Sequence, residues 1–168
     1  LYLSHYVTPA GWKALAAVPG LRFLRAVTLD GVARAESLPE LAAFPRLSDV
    51  RIASAGGPHG LTPAWVDQLA KLPALRRLAI TRTPQLTADM LAPLAAARLT
   101  YLDLTECKGV TAAGPLAKLT TLTELKVEKT GLSADAVREL VAALPGCKVV
   151  SDHGTFDPRP SPPAAGPP

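Results

Sequence analysis

The chain has 168 residues, 48% hydrophobic and only 5% aromatic, which suffices for one folded unit with a core of aliphatic side chains. Its 18 basic and 14 acidic residues leave a net charge of +4, and the signs are interleaved along the chain, which argues against a nucleic-acid footprint. No apolar run reaches the roughly 18 residues of a membrane span, so a soluble protein is expected; two cysteines and no asparagine exclude a disulfide framework and N-glycosylation and point to a reducing, cytoplasmic setting.

In chain order, Leu1 and Leu3 read as the end of a strand cut by the start of the sequence. A frame of the form apolar-x-x-apolar-x-apolar then recurs five times: Leu24, Val27, Leu29; Leu47, Val50, Ile52; Leu75, Leu78, Ile80; Leu99, Leu102, Leu104; and Leu122, Leu125, Val127. Its last two apolar positions alternate as in a strand, and the first positions lie 23, 28, 24 and 23 residues apart. Cys147 opens a degenerate last copy, with Val149 and Val150 as its apolar pair.

Between the strands, Val7-Thr8, Leu61-Thr62, Leu86-Thr87, Val110-Thr111 and Leu132-Ser133 each place a hydroxyl where a helix N-cap is expected. Apolar residues then recur at three or four, as in Val66, Leu69, Leu72 and Val137, Leu140, Val141, Leu144, which puts them on one helix face. Pro19, Pro45, Pro73 and Pro145 fall where those helices should stop. The second copy lacks the hydroxyl cap and carries Leu38, Leu41 and Phe44 at spacing three, so a looser, 3₁₀-like return is expected there. No unit can bury its apolar face alone, and stacking the units side by side in a parallel sheet solves that.

This pattern resembles the leucine-rich-repeat family, and Leu99-Thr-Tyr-Leu102-Asp-Leu104-Thr-Glu-Cys107 followed by Val110-Thr111 is close to its cysteine-containing subgroup. The resemblance covers residues 1 to 150 and implies an α/β fold: a right-handed solenoid with a parallel concave sheet and convex helices, here an array cut at its N-terminus. Where the family often has Asn, this chain has Ala55, Thr83, Cys107 and Thr130; Thr and Cys can still bond loop backbone, whereas Ala55 cannot. Residues 151 to 168 leave the pattern, and a Pro-rich disordered tail is expected there. Pro160-Ser-Pro-Pro163 satisfies P-x-x-P, which fits either an inert linker or a ligand of a proline-binding domain.

The polar inventory does not assemble into a catalytic site. Ser151, Asp152 and His153 are contiguous, and neighbouring side chains diverge rather than converge on one reacting atom. His5, His59, His153, Cys107 and Cys147 are too widely spaced for a zinc site, so neither metal nor cofactor is expected. The Gly-rich stretch around His59 lengthens the turn after Ile52 and fits a surface insertion or a binding loop, without the Gly-Lys-Ser/Thr of a phosphate loop. Arg76, Arg77 and Arg82 read as a solvated face. Trp12 aligns with core positions, while Trp65 is expected to be partly exposed.

The strand residues that face away from the core fall into columns across the repeats. One holds Ala26, Asp49, Arg77, Tyr101 and Glu124; a second holds Tyr2, Thr28, Arg51, Ala79, Asp103 and Lys126; a third holds Ser4, Asp30, Ala53, Thr81, Thr105 and Glu128. Asp49 beside Arg77, and Asp103 beside Lys126, are placed to neutralise each other. Arg51, Arg77 and Tyr101 surround the small Ala79, and Arg and Tyr are favoured at interface hot spots. The expected function is therefore that of a monomeric, non-enzymatic interaction module binding a protein partner, not nucleic acid or membrane, through Arg51, Arg77, Tyr101, Asp103, Glu124 and Lys126. The alternative is the substrate-recognition part of a larger enzyme, such as a ubiquitin ligase or kinase, with its catalytic domain outside this chain.

Overall fold

The computed structural model describes residues 1–4, 9–30, 39–54 and 61–159. The His59 insertion, the Val7-Thr8 cap position, Leu38, Ala55 and the Pro160–Pro163 motif lie outside these residues, and the Trp12 side chain is likewise not described. The fold is α/β, and the described residues form eight strands in one open sheet whose order follows the chain: β1 (Tyr2–Ser4), β2 (Ala26–Asp30), β3 (Asp49–Ala53), β4 (Arg77–Thr81), β5 (Tyr101–Asp103), β6 (Glu124–Val127), β7 (Lys148–Ser151) and β8 (Gly154–Phe156). Each pair is parallel except the last, in which β8 turns back antiparallel to β7.

The strands alternate as the apolar frame requires. Val50, Ile52, Leu78, Ile80, Leu102 and Leu125 are fully buried, and they share one continuous cluster with the leading Leu47, Leu75 and Leu99. The connections between strands form α1 (Pro9–Ala16), α2 (Pro63–Ala70), α3 (Gly114–Ala117), α4 (Ala134–Ala143) and 3₁₀ turns at Pro19–Phe23, Pro39–Ala43 and Asp89–Ala96. α1 packs on the Pro39–Ala43 turn, α2 and α3 on the Asp89–Ala96 turn, and α3 on α4, and these connections give Val66, Leu69, Leu91, Leu116, Val137 and Leu140 to the same core. The 3₁₀ return at Pro39–Ala43, which buries Leu41 and Phe44, matches the spacing-three pattern of that unit. No helix among the described residues is long and apolar enough to cross a membrane.

Three local expectations change. Ser133 caps α4 by accepting the Ala136 N–H at 3.2 Å, and Thr62 occupies the cap position of α2 without bonding through its side chain. Thr87 and Thr111 do not cap these helices, because the helices begin later, at Asp89 and Gly114, and Ala88 and Ala113 stand at the cap positions. Trp65 is 1% exposed, not partly exposed, because α2 packs against the Asp89–Ala96 turn and is covered over more of its circumference than a lone surface helix. Its indole N–H finds no partner among the described residues.

The end of the array departs most from the sequence reading. Ordered structure does not stop at residue 150: Ser151 pairs with Val127 and is buried, and Phe156 on β8 packs on the core. The buried pair of the last copy is consequently Val149 and Ser151, with Val150 on the outer face opposite Lys126. The contiguous Ser151, Asp152 and His153 form a cap. The Ser151 hydroxyl donates to the Gly154 carbonyl at 3.0 Å, His153 Nε2 donates to the Leu132 carbonyl at 3.1 Å, and Asp152 accepts the Lys129 N–H at 2.6 Å.

Asp152 has a structural reason to be there. Ser54, Arg82, Glu106 and Lys129 each follow a strand with φ of 53° to 65°, a conformation that releases the N–H toward the next unit. The first three donate to the carbonyls of Thr81, Thr105 and Glu128 at 2.9–3.0 Å. Lys129 meets no further parallel unit of this kind, and the Asp152 carboxylate takes the place of the carbonyl.

Candidate functional site

Parallel register converts the sequence columns into spatial rows. Asp49 lies opposite Arg77, Arg77 opposite Tyr101, and Tyr101 opposite Glu124; Thr28, Arg51, Ala79, Asp103 and Lys126 form the adjacent row. All face away from the helices, on the polar side of the sheet. The strands hold them on rigid backbone, so their spacing is set by the sheet rather than by a loop.

A continuous polar network crosses β3, β4 and β5. Asp49 bonds Arg51 at 3.3 Å along its own strand and Arg77 at 3.6 Å across to the next. The Arg77 guanidinium lies over the Tyr101 ring, 4.0 Å from its centroid, a cation–π contact that holds the ring face. The Tyr101 hydroxyl donates to Asp103 at 3.2 Å, and the other Asp103 oxygen accepts the Thr105 N–H at 2.9 Å and hydroxyl at 2.6 Å. Burial, reinforced by the Asp103 charge, pushes the Tyr101 phenol above its ordinary value and keeps it a donor at neutral pH.

The expected neutral pair of Asp49 and Arg77 is thus present, but Asp103 and Lys126 do not pair. Asp103 is satisfied by Tyr101 and Thr105, and Lys126 instead meets Glu124 on its own strand at 3.8 Å. The Lys126 ammonium also lies 5.9 Å from the Tyr101 ring centroid.

Between the rows the small side chains of Ala53 and Ala79 leave a hollow of about 280 Å³, bounded by Thr28, Arg51, Thr81, Tyr101 and Asp103. Arg77 does not line it; it supports Tyr101 from the adjoining row. The hollow offers one positive wall, one negative wall and an aromatic edge over an apolar floor. An incoming side chain can bury apolar atoms there and bond at its tip, while Glu124 and Lys126 stand at the margin.

Residues that the sequence pattern did not single out hold this face in register. Ser48, Thr100 and Thr123 stand one position before β3, β5 and β6, and each hydroxyl donates to the carbonyl of the preceding unit, Arg25, Arg76 and Thr100 respectively, at 2.9–3.2 Å. The signal was legible as a hydroxyl directly after the leading Leu of the frame. In the turns, Thr83, Cys107 and Thr130 bond backbone carbonyls, Cys107 reaching Ile80 of the preceding unit at 3.1 Å.

Cys107 and Cys147 are free and buried. Burial pushes both thiols up to about 11. The neutral thiol is thus the folded form, and its contribution to stability is complete below the ordinary thiol value and lost as pH rises from there through about 11. Unfolding by urea between pH 8 and 11 is expected to show stability falling more steeply for the native chain than for a Cys107→Ala/Cys147→Ala variant. Equal slopes would show that the thiols do not titrate with folding.

No protein-family model matches the chain, and no curated protein matches it either.

Proposed function

We propose that the chain is a right-handed leucine-rich-repeat solenoid whose polar sheet face is concave and binds a protein partner, with no catalytic step of its own. The repeat reading rests on the recurring frame and on strands that stack in chain order with helical returns on one side. The observation that carries the binding reading is the hollow over Ala79, with Arg51, Tyr101 and Asp103 at its walls. Arginine and tyrosine are the side chains that most often dominate interface energetics, and these are held by bonds to Asp49 and Asp103 before any partner arrives.

The test is affinity capture from native lysate with quantitative mass spectrometry, using three baits. Truncating Arg77 and Tyr101 together to Ala is expected to weaken a specific partner by about 2 kcal/mol or more, since it removes the aromatic wall and its support. Truncating the exposed Asp67 on α2 and Lys71 at its C-terminal cap should leave the same partner bound. Circular dichroism must show each variant folded. Loss of the partner with the helical pair, and retention with the sheet pair, would place the working surface on the other side.

A further inference from the structure

A second surface lies at the edge where the strands begin. Phe23 closes the 3₁₀ turn before β2 and is 49% exposed, although the frame buries large apolar residues almost everywhere else. Two guanidiniums approach its ring: Arg22 at 4.7 Å and Arg46, from the next unit, at 5.0 Å from the centroid. Arg25 and Arg46 also flank a hollow of about 370 Å³ completed by Pro45, Ser48 and Ala74, with no carboxylate among the described residues that line it.

Among the described residues Arg22, Arg25, Arg46, Arg76, Arg98 and Arg159 have no carboxylate within 4 Å, and the first three of these gather at this edge, around Phe23 and the hollow. Arg51, Arg77, Arg82 and Arg138 each have a carboxylate within 4 Å. Arg22, Arg25 and Arg46 are exposed, and among the described residues none of them forms an ion pair. Arg25 and Arg46 at the hollow and Arg22 at the Phe23 ring are like charges that repel one another, and an incoming anion relieves that repulsion. Guanidinium is the cation best suited to hold a carboxylate through paired hydrogen bonds.

We propose that this edge binds an acidic peptide segment, its carboxylates taken by Arg25 and Arg46 in the hollow and an apolar side chain covering Phe23. A peptide fits better than a nucleic acid because the cations converge on one spot of side-chain dimensions. A polyphosphate requires basic groups that track along a groove, whereas Arg22, Arg25 and Arg46 gather beside one exposed apolar ring. The surface is separate from the Ala79 hollow, so the proposal stands or falls independently of the function assigned to that face.

The experiment uses the full chain and a fluorescein-labelled peptide alternating Glu, Asp and Leu, with a Gln, Asn and Leu peptide as its uncharged counterpart, in anisotropy titrations at about 0.15 M salt. The acidic peptide should bind and the amide peptide should not. Arg25→Glu/Arg46→Glu, shown folded by circular dichroism, should weaken the acidic peptide at least about tenfold, because two charge-assisted contacts become repulsions. Phe23→Ser should weaken it less, and Arg138→Glu on the exposed face of α4 should leave it unchanged. Equal losses for Arg138→Glu and the Arg25/Arg46 variant would reduce the effect to net charge and overturn the site. Absence of binding overturns it too, as does tighter binding of a thymidine oligonucleotide or of phosphatidylserine vesicles through the same arginines.

Discussion

Deleting Asp152 and all that follows is expected to lower the melting temperature by about 10 °C, equivalent to about 3 kcal/mol for a domain of this size. The deletion removes the acceptor of the Lys129 N–H, the ring that bonds Leu132, and the Phe156 side chain that covers the end of the core. A charge-assisted bond of this kind is worth about 1.5–3 kcal/mol, and half-burying an aromatic ring adds about 1. It also strips β8 from β7, leaving β7 as a bare strand edge that invites pairing with other chains. Scanning calorimetry measures the first effect and light scattering the second. An unchanged transition would mean that the hairpin rests on the array without supporting it.

Gly109→Ala is expected to destabilise the fold by about 3 kcal/mol, the upper end for overpacking, while Gly114→Ala is expected to be neutral or slightly stabilising. A Cβ at Gly109 would stand 2.5 Å from the Pro84 carbonyl oxygen and 2.6 Å from that of Leu86, both backbone atoms of the preceding turn that cannot swing aside. At Gly114, the first residue of α3, a Cβ meets nothing within 4 Å and gains helix propensity. Urea unfolding of the two variants separates a steric requirement from a general cost of replacing glycine. Equal stabilities would show that the turns are free to part. Gly131 meets the preceding turn in the same way, its Cβ position being 2.6 Å from the Lys108 carbonyl oxygen. Gly109-Val110-Thr111 and Gly131-Leu132-Ser133 therefore share a signal that is visible in the chain: a glycine just before the apolar-hydroxyl pair.

The candidate face was partly legible for a related reason. Strand side chains alternate with a period of two, and a burial pattern fixes the register, so the row containing Arg51, Ala79 and Asp103 follows once Val50, Leu78 and Leu102 are assigned to the core. The partners within that face were not legible. Asp103 is equally near Lys126 and Tyr101 by column, and only side-chain direction sent it to Tyr101 and Thr105 and left Lys126 to Glu124.

What the sequence determined alone is the unit and its order: periodicity marks the strand residues that must be buried, and units too small to bury them singly must stack as they come along the chain. Tertiary structure decided everything that depends on the offset between stacked units. It set the approach of Gly109 to the turn before it, the covering of Trp65 and the stacking of Arg77 on Tyr101. It also decided the end of the fold, because Ser151, Asp152 and His153 carry no periodic signal. Their place follows from the groups the last unit leaves without a neighbour: the Lys129 N–H, the Leu132 carbonyl and the open edge of β7. Unmet backbone groups at a terminus are a property of the assembled stack, and no single repeat encodes them.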